Sequence, residues 1–287
     1  MALVSAVNFA LSNTLAGVSF EGGSDPLTLL TTRFFLPAIL IFLILKHAGK
    51  PVLIEGRASW AGIALGVLTV IYSFAFLSAI ELLPVSIATL IFFLFPILTA
   101  FLLALLGWGR LTPTMVVSAF IAFFGLSLAL AVDFDELDKV GMVLALVSAV
   151  VFSMVCAISN RTMRGQDSRQ GTLYIAVVSA MVMVIISIGT GEFNLPTTDA
   201  GWAGFIASNI LYAAAMIGFF VSISMVGAAA TTFFCNLEPI VVSGLGYILL
   251  GQVISQWQIV GVFIVVGALI YAGRSRADDS VAQPETS

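Results

Sequence analysis

The segment "ALVSAVNF" at residues 2–9 returns almost unchanged as "ALVSAVVF" at residues 145–152, a shift of 143 positions. Further matches follow in the same order and at nearly the same shift: "WAG" at 60–62 and 202–204, Pro96 and Pro239, and "GLSLALA" at 125–131 with "GALIYAG" at 267–273. Chance matches are frequent in apolar sequence, but an ordered series at one shift indicates two copies of a single unit.

Each copy is strongly apolar. Of the 287 residues, 60% are hydrophobic and only 9% are charged. In a soluble domain about a quarter of the residues are charged. Apolar runs recur that are long enough to cross roughly 30 Å of hydrocarbon. The sequence predicts an all-α polytopic membrane protein with ten transmembrane helices, near 2–20, 28–46, 59–80, 85–107, 113–131, 141–159, 172–190, 201–225, 228–250 and 256–273.

Ten spans in two copies give five helices per copy, and an odd number inverts the second copy relative to the first. Two inverted five-helix repeats are a common construction of secondary transporters, whose substrate site lies near the membrane midplane between the halves. The predicted organisation is a first repeat at 1–131, an acidic extracytoplasmic connector at 132–140, a second repeat at 141–273 and a disordered cytoplasmic tail at 274–287.

The basic residues give the orientation. With the amino terminus in the cytoplasm, nine of the eleven Lys and Arg residues fall on the cytoplasmic side, as the positive-inside rule requires: Lys46, Lys50, Arg57, Arg110, Arg161, Arg164, Arg169, Arg274 and Arg276. We therefore predict a multi-pass protein of the plasma membrane, the inner membrane of a bacterial cell, with both termini in the cytoplasm.

The segment "FFCNLEPIVVSG" at 233–244 contains the most unusual residue, Glu238, in the middle of an apolar run. A charged carboxylate at a helix centre costs about 2.5–3.5 kcal/mol on insertion scales. Pro239 lacks a backbone donor and is expected to kink the helix. The first repeat keeps the kink proline, Pro96, but has Phe95 in place of the acid. Glu238 is therefore a candidate proton-coupling group; the alternative is a protonated, purely structural hydrogen-bonding residue.

Other polar and aromatic residues follow helical spacing and are predicted to line a substrate site. The alternative for each stripe is ordinary packing between helices. Cys235 shares a face with Glu238, and the remaining candidates lie on the first, third, fourth and eighth predicted helices: Asn8, Ser12, Thr69, Tyr72, Phe76, Thr89, Phe92, Asn209, Tyr212 and Met216.

Arg33 lies about two turns inside the second predicted helix. It could attract an anionic substrate group or act as the charge partner of Glu238. Alternatively, its side chain extends toward the outer acids Glu21, Asp25 or Glu81.

The sequence resembles the EamA-type ten-helix exporters of the drug/metabolite transporter superfamily over essentially its whole length. Arg33 in "TTRFFLPAIL" matches an arginine of the family's second helix, and "LEPIVVSGLGYILLGQ" at 237–252 matches its "LEP" motif, with Gln252 in place of the usual glutamate. The resemblance implies outward movement of small metabolites, often amino acids, with or without proton coupling. It also implies a cavity lined by the first, third, fourth, sixth, eighth and ninth helices.

The sequence thus predicts a secondary transporter that exports small organic metabolites by alternating access, with amino acids, including aromatic or other amphipathic ones, as leading substrates. The alternative is an intramembrane lipid-modifying enzyme, but the chain has one histidine and no intramembrane cluster of acid, His or Cys ligands. The expected partners are the small-molecule substrate, the lipid bilayer and, as a coupling ion, the proton. No enzyme activity, cofactor, metal or nucleic acid is predicted, and the assembly is a monomer or a homodimer.

Overall fold

The computed structural model describes residues 1–52, 57–83, 85–109, 112–129, 138–163, 167–191, 193–241, 244 and 255–282. Over these ranges the secondary structure is helical, and no β-strand occurs in them. The helices are α1 (Ala2–Glu21), α2 (Pro26–Arg33), α3 (Phe35–His47), α4 (Arg57–Leu82), α5 (Val85–Phe92), α6 (Phe95–Leu105), α7 (Pro113–Ala129), α8 (Lys139–Met163), α9 (Ser168–Thr190), α10 (Asp199–Val226), α11 (Ala228–Phe234), α12 (237–241) and α13 (Gln256–Ala282).

Seven helical stretches in the described part are long and apolar enough to cross a membrane. They are Ala2–Glu21, Pro26–His47, Ser59–Phe76, Ile87–Leu105, Lys139–Met163, Ser168–Thr190 and Asp199–Val226, with shorter apolar helices at Val116–Leu128 and Gln256–Ala268. Large apolar side chains lie on the outer surface of the bundle: Ile188 is 77% exposed and Phe263 is 72% exposed. Such a surface suits hydrocarbon rather than water. The protein is therefore a multi-pass, membrane-embedded helical bundle.

Two of the spans are broken at matching places in the repeats. A turn at residues 93–94 separates α5 from α6, and a turn at 235–236 separates α11 from α12. Pro96 and Pro239 each follow the turn closely. Because Pro239 has no N–H, it cannot bond the Cys235 carbonyl four residues earlier, and the Glu238 N–H donates to that carbonyl instead, at 2.9 Å. The break places Glu238 at the start of a helical segment.

The helices pack in two groups that mix the sequence halves. In the first group α1 packs along α10, and in the second α4 packs along α8. The shift of 143 residues that relates the repeats converts one pair into the other. We call α1, α10, α11 and α12 the α1/α10 group, and α4, α5, α6 and α8 the α4/α8 group. The separate pair of α7 and α13 packs mainly against itself.

The two ends of α9 contact loops from elsewhere in the chain. Beyond its carboxyl end, the Asn194 N–H donates to Asp25 Oδ2 at 3.0 Å, while Asp25 also accepts from the Thr28 N–H and hydroxyl. At its amino end, Asp167 accepts two hydrogen bonds from the Arg169 guanidinium and pairs with Lys50. We call these the Asp25 contact and the Asp167 contact.

Both acids are held in the ionised form. Burial opposes ionisation of Asp25, but hydrogen bonds from Thr28 and Asn194 outweigh that effect, and its pKa lies below the ordinary value. Hydrogen bonds from the Arg169 guanidinium are the main reason that the pKa of Asp167 lies well below its ordinary value. Lys50 adds to this lowering, and burial opposes it.

The predicted connector and tail are described only in part. Residues 132–137 of the connector lie outside the described ranges, while Asp138 accepts from the Gly141 N–H at 2.8 Å and so caps α8. The tail at 274–287 is predicted to be disordered, yet α13 continues to Ala282. No glycine or proline interrupts the chain between residue 274 and Pro284, so the local sequence is compatible with continued helix.

Candidate functional site

Among the described residues, Glu238 has one hydrogen-bond donor, the side chain of Asn13 on α1. Asn13 Nδ2 donates to Glu238 Oε1 at 2.8 Å. Both residues belong to the α1/α10 group, and Glu238 is partly buried beside the buried thiol of Cys235, with which it interacts electrostatically. Asn13, Cys235 and Glu238 form what we call the polar cluster.

Arg33 extends over an aromatic ring. Its Cζ lies 4.3 Å from the ring centroid of Tyr212 on α10, a cation–π distance. The guanidinium interacts electrostatically with Tyr212, Tyr72 and Glu238. No carboxylate of the described part lies within 4.0 Å of it, which leaves the alternative of an ion pair with Glu21 or Asp25 unrealised. The Glu81 side chain lies outside the described set.

A set of contacting aromatic rings lies on the α4/α8 group. Tyr72 lies 4.6 Å from Phe152, and Phe95 lies 4.8 Å from Phe152 (centroid to centroid). Phe92 is within 6.3 Å of Tyr72 and 4.7 Å of Phe76. We call these five residues the aromatic cluster. Their ring faces and edges offer contacts to an aromatic or other apolar group.

The two clusters meet through rings of the α1/α10 group. Phe219 stacks on Phe152 at 5.9 Å, and Phe9 contacts the edges of both Phe219 and Tyr212. Polar groups and aromatic rings thus form one continuous region between the two helix groups.

The repeat relates the two clusters position by position. A shift of 143 residues carries Asn13 to Cys156 and Cys235 to Phe92, and it carries Glu238 to Phe95. Corresponding helix positions therefore carry hydrogen-bonding side chains in the α1/α10 group and, at two of these three positions, phenylalanine rings in the α4/α8 group. The chemical difference between the sides lies in the side chains and not in the helix arrangement.

Several other predicted residues make contacts within the helices or between them. Ser12 and Ser208 exchange hydrogen bonds, each hydroxyl donating to the other's carbonyl at 2.9 Å, in the contact between α1 and α10. The Thr69 hydroxyl donates to the Leu65 carbonyl at 2.8 Å in its own helix. Asn8 and Thr89 are partly buried, and Met216 lies in the apolar core.

Asn209 is the predicted residue with an unused polar atom. Its Nδ2 donates to the Phe205 carbonyl at 2.8 Å, but its buried Oδ1 has no hydrogen-bond partner in the described part. Such an atom costs about 1–3 kcal/mol unless water or a ligand supplies a donor. Asn209 lies one helical turn from Tyr212, so this acceptor lies close to the polar side of the region.

Sequence reasoning missed Asn13, Phe152 and Phe219. Asn13 lies one position beyond the serine and asparagine stripe of α1, which drew attention to Asn8 and Ser12. The sequence does contain a signal for the phenylalanines. The repeat shift relates Phe9 to Phe152 and Phe76 to Phe219, so phenylalanines recur at matched positions of the two repeats. Gln252, the substituted motif position, lies outside the described residues.

Comparisons with known proteins agree with this architecture. The model of the EamA-like transporter family matches residues 1–131 and again residues 139–273. The uncharacterized transporter YyaM of Bacillus subtilis (strain 168) is 25% identical over 203 residues, which cover 66% of this chain and 65% of YyaM. A solved crystal structure has the same fold, with a TM-score of 0.76 and 21% identity over 94% of this chain and 95% of the other. The chain belongs to the EamA-like transporter family.

Proposed function

We propose that this protein is a secondary transporter that exports small organic metabolites, foremost amino acids, by alternating access. The observation that carries the proposal is the Asn13–Glu238 pair, a carboxylate and amide in the same apolar bundle as the aromatic cluster. A transporter site needs polar groups to orient its substrate and apolar surface to bind the rest of it. The preferred substrates are therefore amphipathic, with aromatic amino acids as leading candidates.

Each part of the site matches one part of such a substrate. The carboxylate of Glu238 and the unpaired Oδ1 of Asn209 would accept hydrogen bonds from an ammonium group. The rings of Tyr72, Phe92 and Phe152 would contact an apolar side chain.

Alternating access would use the two helix groups as the moving parts. Dense packing of α1 on α10 and of α4 on α8 favours rigid motion of each group. The contacts between the groups, such as the Phe152–Phe219 stack, would change instead. Ten spans in two inverted repeats are part of this proposal. So are export as the direction, a monomer or homodimer as the assembly, and a bacterial inner membrane with both termini in the cytoplasm.

Counterflow in proteoliposomes tests the transport proposal. Vesicles loaded with unlabelled amino acids are expected to accumulate the matching labelled amino acid above the level of protein-free vesicles. Competition among amino acids then ranks the substrates, and we expect large apolar and aromatic side chains to compete best. If none of the labelled amino acids exchanges above the level of protein-free vesicles, amino-acid transport is excluded.

Proton coupling is assigned to Glu238. Glu238 interacts electrostatically with Arg33, and in the described part its one hydrogen-bond donor is the neutral amide of Asn13. A carboxyl group in such surroundings can exchange a proton for a cationic substrate group. Glu238→Gln retains the shape and the bond from Asn13 but cannot titrate.

We therefore expect Glu238→Gln to abolish transport driven by a pH gradient while counterflow continues at a reduced rate. Counterflow moves no net protons when both sides have the same pH, so it reports binding and the conformational cycle separately. Undiminished gradient-driven transport by Glu238→Gln would eliminate this residue as the coupling group.

A further inference from the structure

Arg33 is a cation that forms no ion pair with an acid of the described residues. Its Nε is buried with no hydrogen-bond partner, and the side chain forms no ion pair or hydrogen bond with any residue that the structure describes. Guanidinium groups stay charged in proteins, so Arg33 cannot escape the cost of burial by losing its proton. An unpaired cation in the membrane interior is expensive, and such residues pair with another group or mark a substrate path.

The surrounding residues fix this cation in place. Arg33 is the last residue of α2, next to the break at Phe34. Its guanidinium lies over Tyr212, whose ring is contacted edge-on by Phe34 and Phe9, each at 5.7 Å. A guanidinium stacked on one face of a held ring keeps its N–H groups aimed in fixed directions. The stack orients the cation without neutralising it.

Glu238 does not neutralise Arg33 by direct contact. Glu238 interacts with it electrostatically, but the two are more than 4.0 Å apart and Asn13 occupies Glu238 Oε1. Among the described residues, the region thus holds a positive group and a negative group that do not contact each other directly. This arrangement complements a zwitterion, whose ammonium and carboxylate groups are attached to one carbon atom.

We propose that Arg33 binds the carboxylate of the transported molecule while Glu238 receives its ammonium group; this rests on the proposed amino-acid transport. A carboxylate fits the two-pronged donor geometry of a guanidinium. A phosphate dianion would leave an uncompensated negative charge beside Glu238, whereas a zwitterion leaves none. Arg33 therefore selects amino acids over amines and amino-acid amides.

The experiment compares an amino acid with its carboxamide, which keeps the ammonium group and side chain but has no carboxylate. The probes are L-phenylalanine, L-leucine and L-methionine and their three amides, measured by counterflow in proteoliposomes. We expect the wild-type protein to prefer each amino acid over its amide by about 10- to 100-fold in kcat/KM, the range for hydrogen bonds to charged groups.

Arg33→Gln is expected to remove this preference by lowering transport of the amino acids and leaving transport of the amides nearly unchanged. Arg33→Lys keeps the charge but loses the planar stack and the paired donors, so an intermediate preference is expected. Lys46→Gln is the matched control, because it removes one positive charge at the exposed end of α3 and should retain the full preference.

The outcomes separate the two proposals. Suppose that the wild-type protein exchanges amino acids and that Arg33→Gln lowers transport of amino acids and of amides equally. This result would overturn the role of Arg33 and leave amino-acid transport standing. A wild-type protein that exchanges none of the six probes would overturn amino-acid transport, and this inference with it. Thermal unfolding of the purified protein shows whether Arg33→Gln folds. If it does not, Arg33→Lys is the deciding variant, and an unchanged preference of Arg33→Lys for amino acids over their amides contradicts the proposal.

Discussion

Asn13 and Glu238 form a pair in which the amide supplies a hydrogen bond to the acid. Glu238 Oε1 accepts from Asn13 Nδ2 at 2.8 Å. A hydrogen bond to a charged group contributes about 1.5–3 kcal/mol, more than a neutral bond does. Without the amide, the carboxylate would have to find water or a cation inside an apolar bundle.

We therefore expect Asn13→Ala to lower counterflow by about 10-fold or more, since the loss of one charge-assisted hydrogen bond is of that size. Thr14→Ala is the control at the neighbouring position of α1, because the Thr14 hydroxyl donates to the Ala10 carbonyl of its own helix. Equal activities of the two variants in proteoliposomes would contradict a role for Asn13 in the site.

At this scale the sequence identifies residue types better than it identifies partners. A carboxylate in an apolar run is conspicuous because of its transfer cost, and Glu238 was predicted on that basis. Asn13 was not predicted, because an asparagine in a membrane helix often joins helices. Only the three-dimensional contact between α1 and α12 distinguishes it from Asn8. The stack of Arg33 on Tyr212 likewise joins residues far apart in sequence.

At the scale of helices, α1 and α10 approach closely because small residues line their contact. A Cβ atom added to Gly204 would lie 2.8 Å from the Leu15 carbonyl oxygen and 3.0 Å from the Ser19 nitrogen, both backbone atoms that cannot turn away. Ser12 and Ser208 exchange hydrogen bonds in the same contact. Close approach and paired hydroxyls are typical of helix association in membranes.

Gly204→Ala is expected to destabilise the protein by about 1–3 kcal/mol, the usual range for inserting a methyl group into a filled contact. The measurement is thermal unfolding in detergent. Gly17→Ala on α1 is the matched control, since nothing lies within 4 Å of the added Cβ and alanine favours helix. A Tm for Gly204→Ala equal to that of the wild type would show that α1 and α10 can separate without cost.

The repeats in the sequence predict which helices correspond, and the packing of α1 on α10 and of α4 on α8 follows that correspondence. The sequence pattern does not predict that these helices pack against a helix of the other repeat instead of one of their own. A hydrophobic run predicts that a helix lies in the membrane. Because such a helix is apolar on all sides, its sequence does not indicate which helix packs against it. The breaks at 93–94 and 235–236 are better encoded, because proline removes a backbone donor.

At the scale of the whole molecule, α9 is held at both ends by related contacts. Asp25 caps α2 and Asp167 caps α9, and these helices begin the second span of each repeat. The 23 residues of α9 place the two contacts about 34 Å apart at 1.5 Å per residue. The loops at the two ends of α9 are therefore fastened by separate contacts, an arrangement that would suit the alternating access proposed above.

Both contacts depend on ionised acids. The pKa values of Asp25 and Asp167 are lowered in the folded protein, so the stabilisation is fully present above the ordinary value of 3.8. It is lost as the pH falls through the lower folded values. Both contacts are consequently intact at neutral pH, and mutation, not mild acidification, is the means to release them.

Releasing one contact should loosen one end of the bundle only. In hydrogen exchange at neutral pH, Asp25→Ala is expected to speed exchange at Thr28 and Asn194, whose N–H groups donate to Asp25, while Asp167→Ala speeds exchange at Arg169. Sites more than 10 Å apart without shared partners act additively, so each variant should leave the far end unchanged. Asp199→Ala, an exposed acid in the first turn of α10, is the control. If Asp25→Ala also accelerated exchange at Arg169, the two ends of α9 would open together, and independent fastening of the two sides would be wrong.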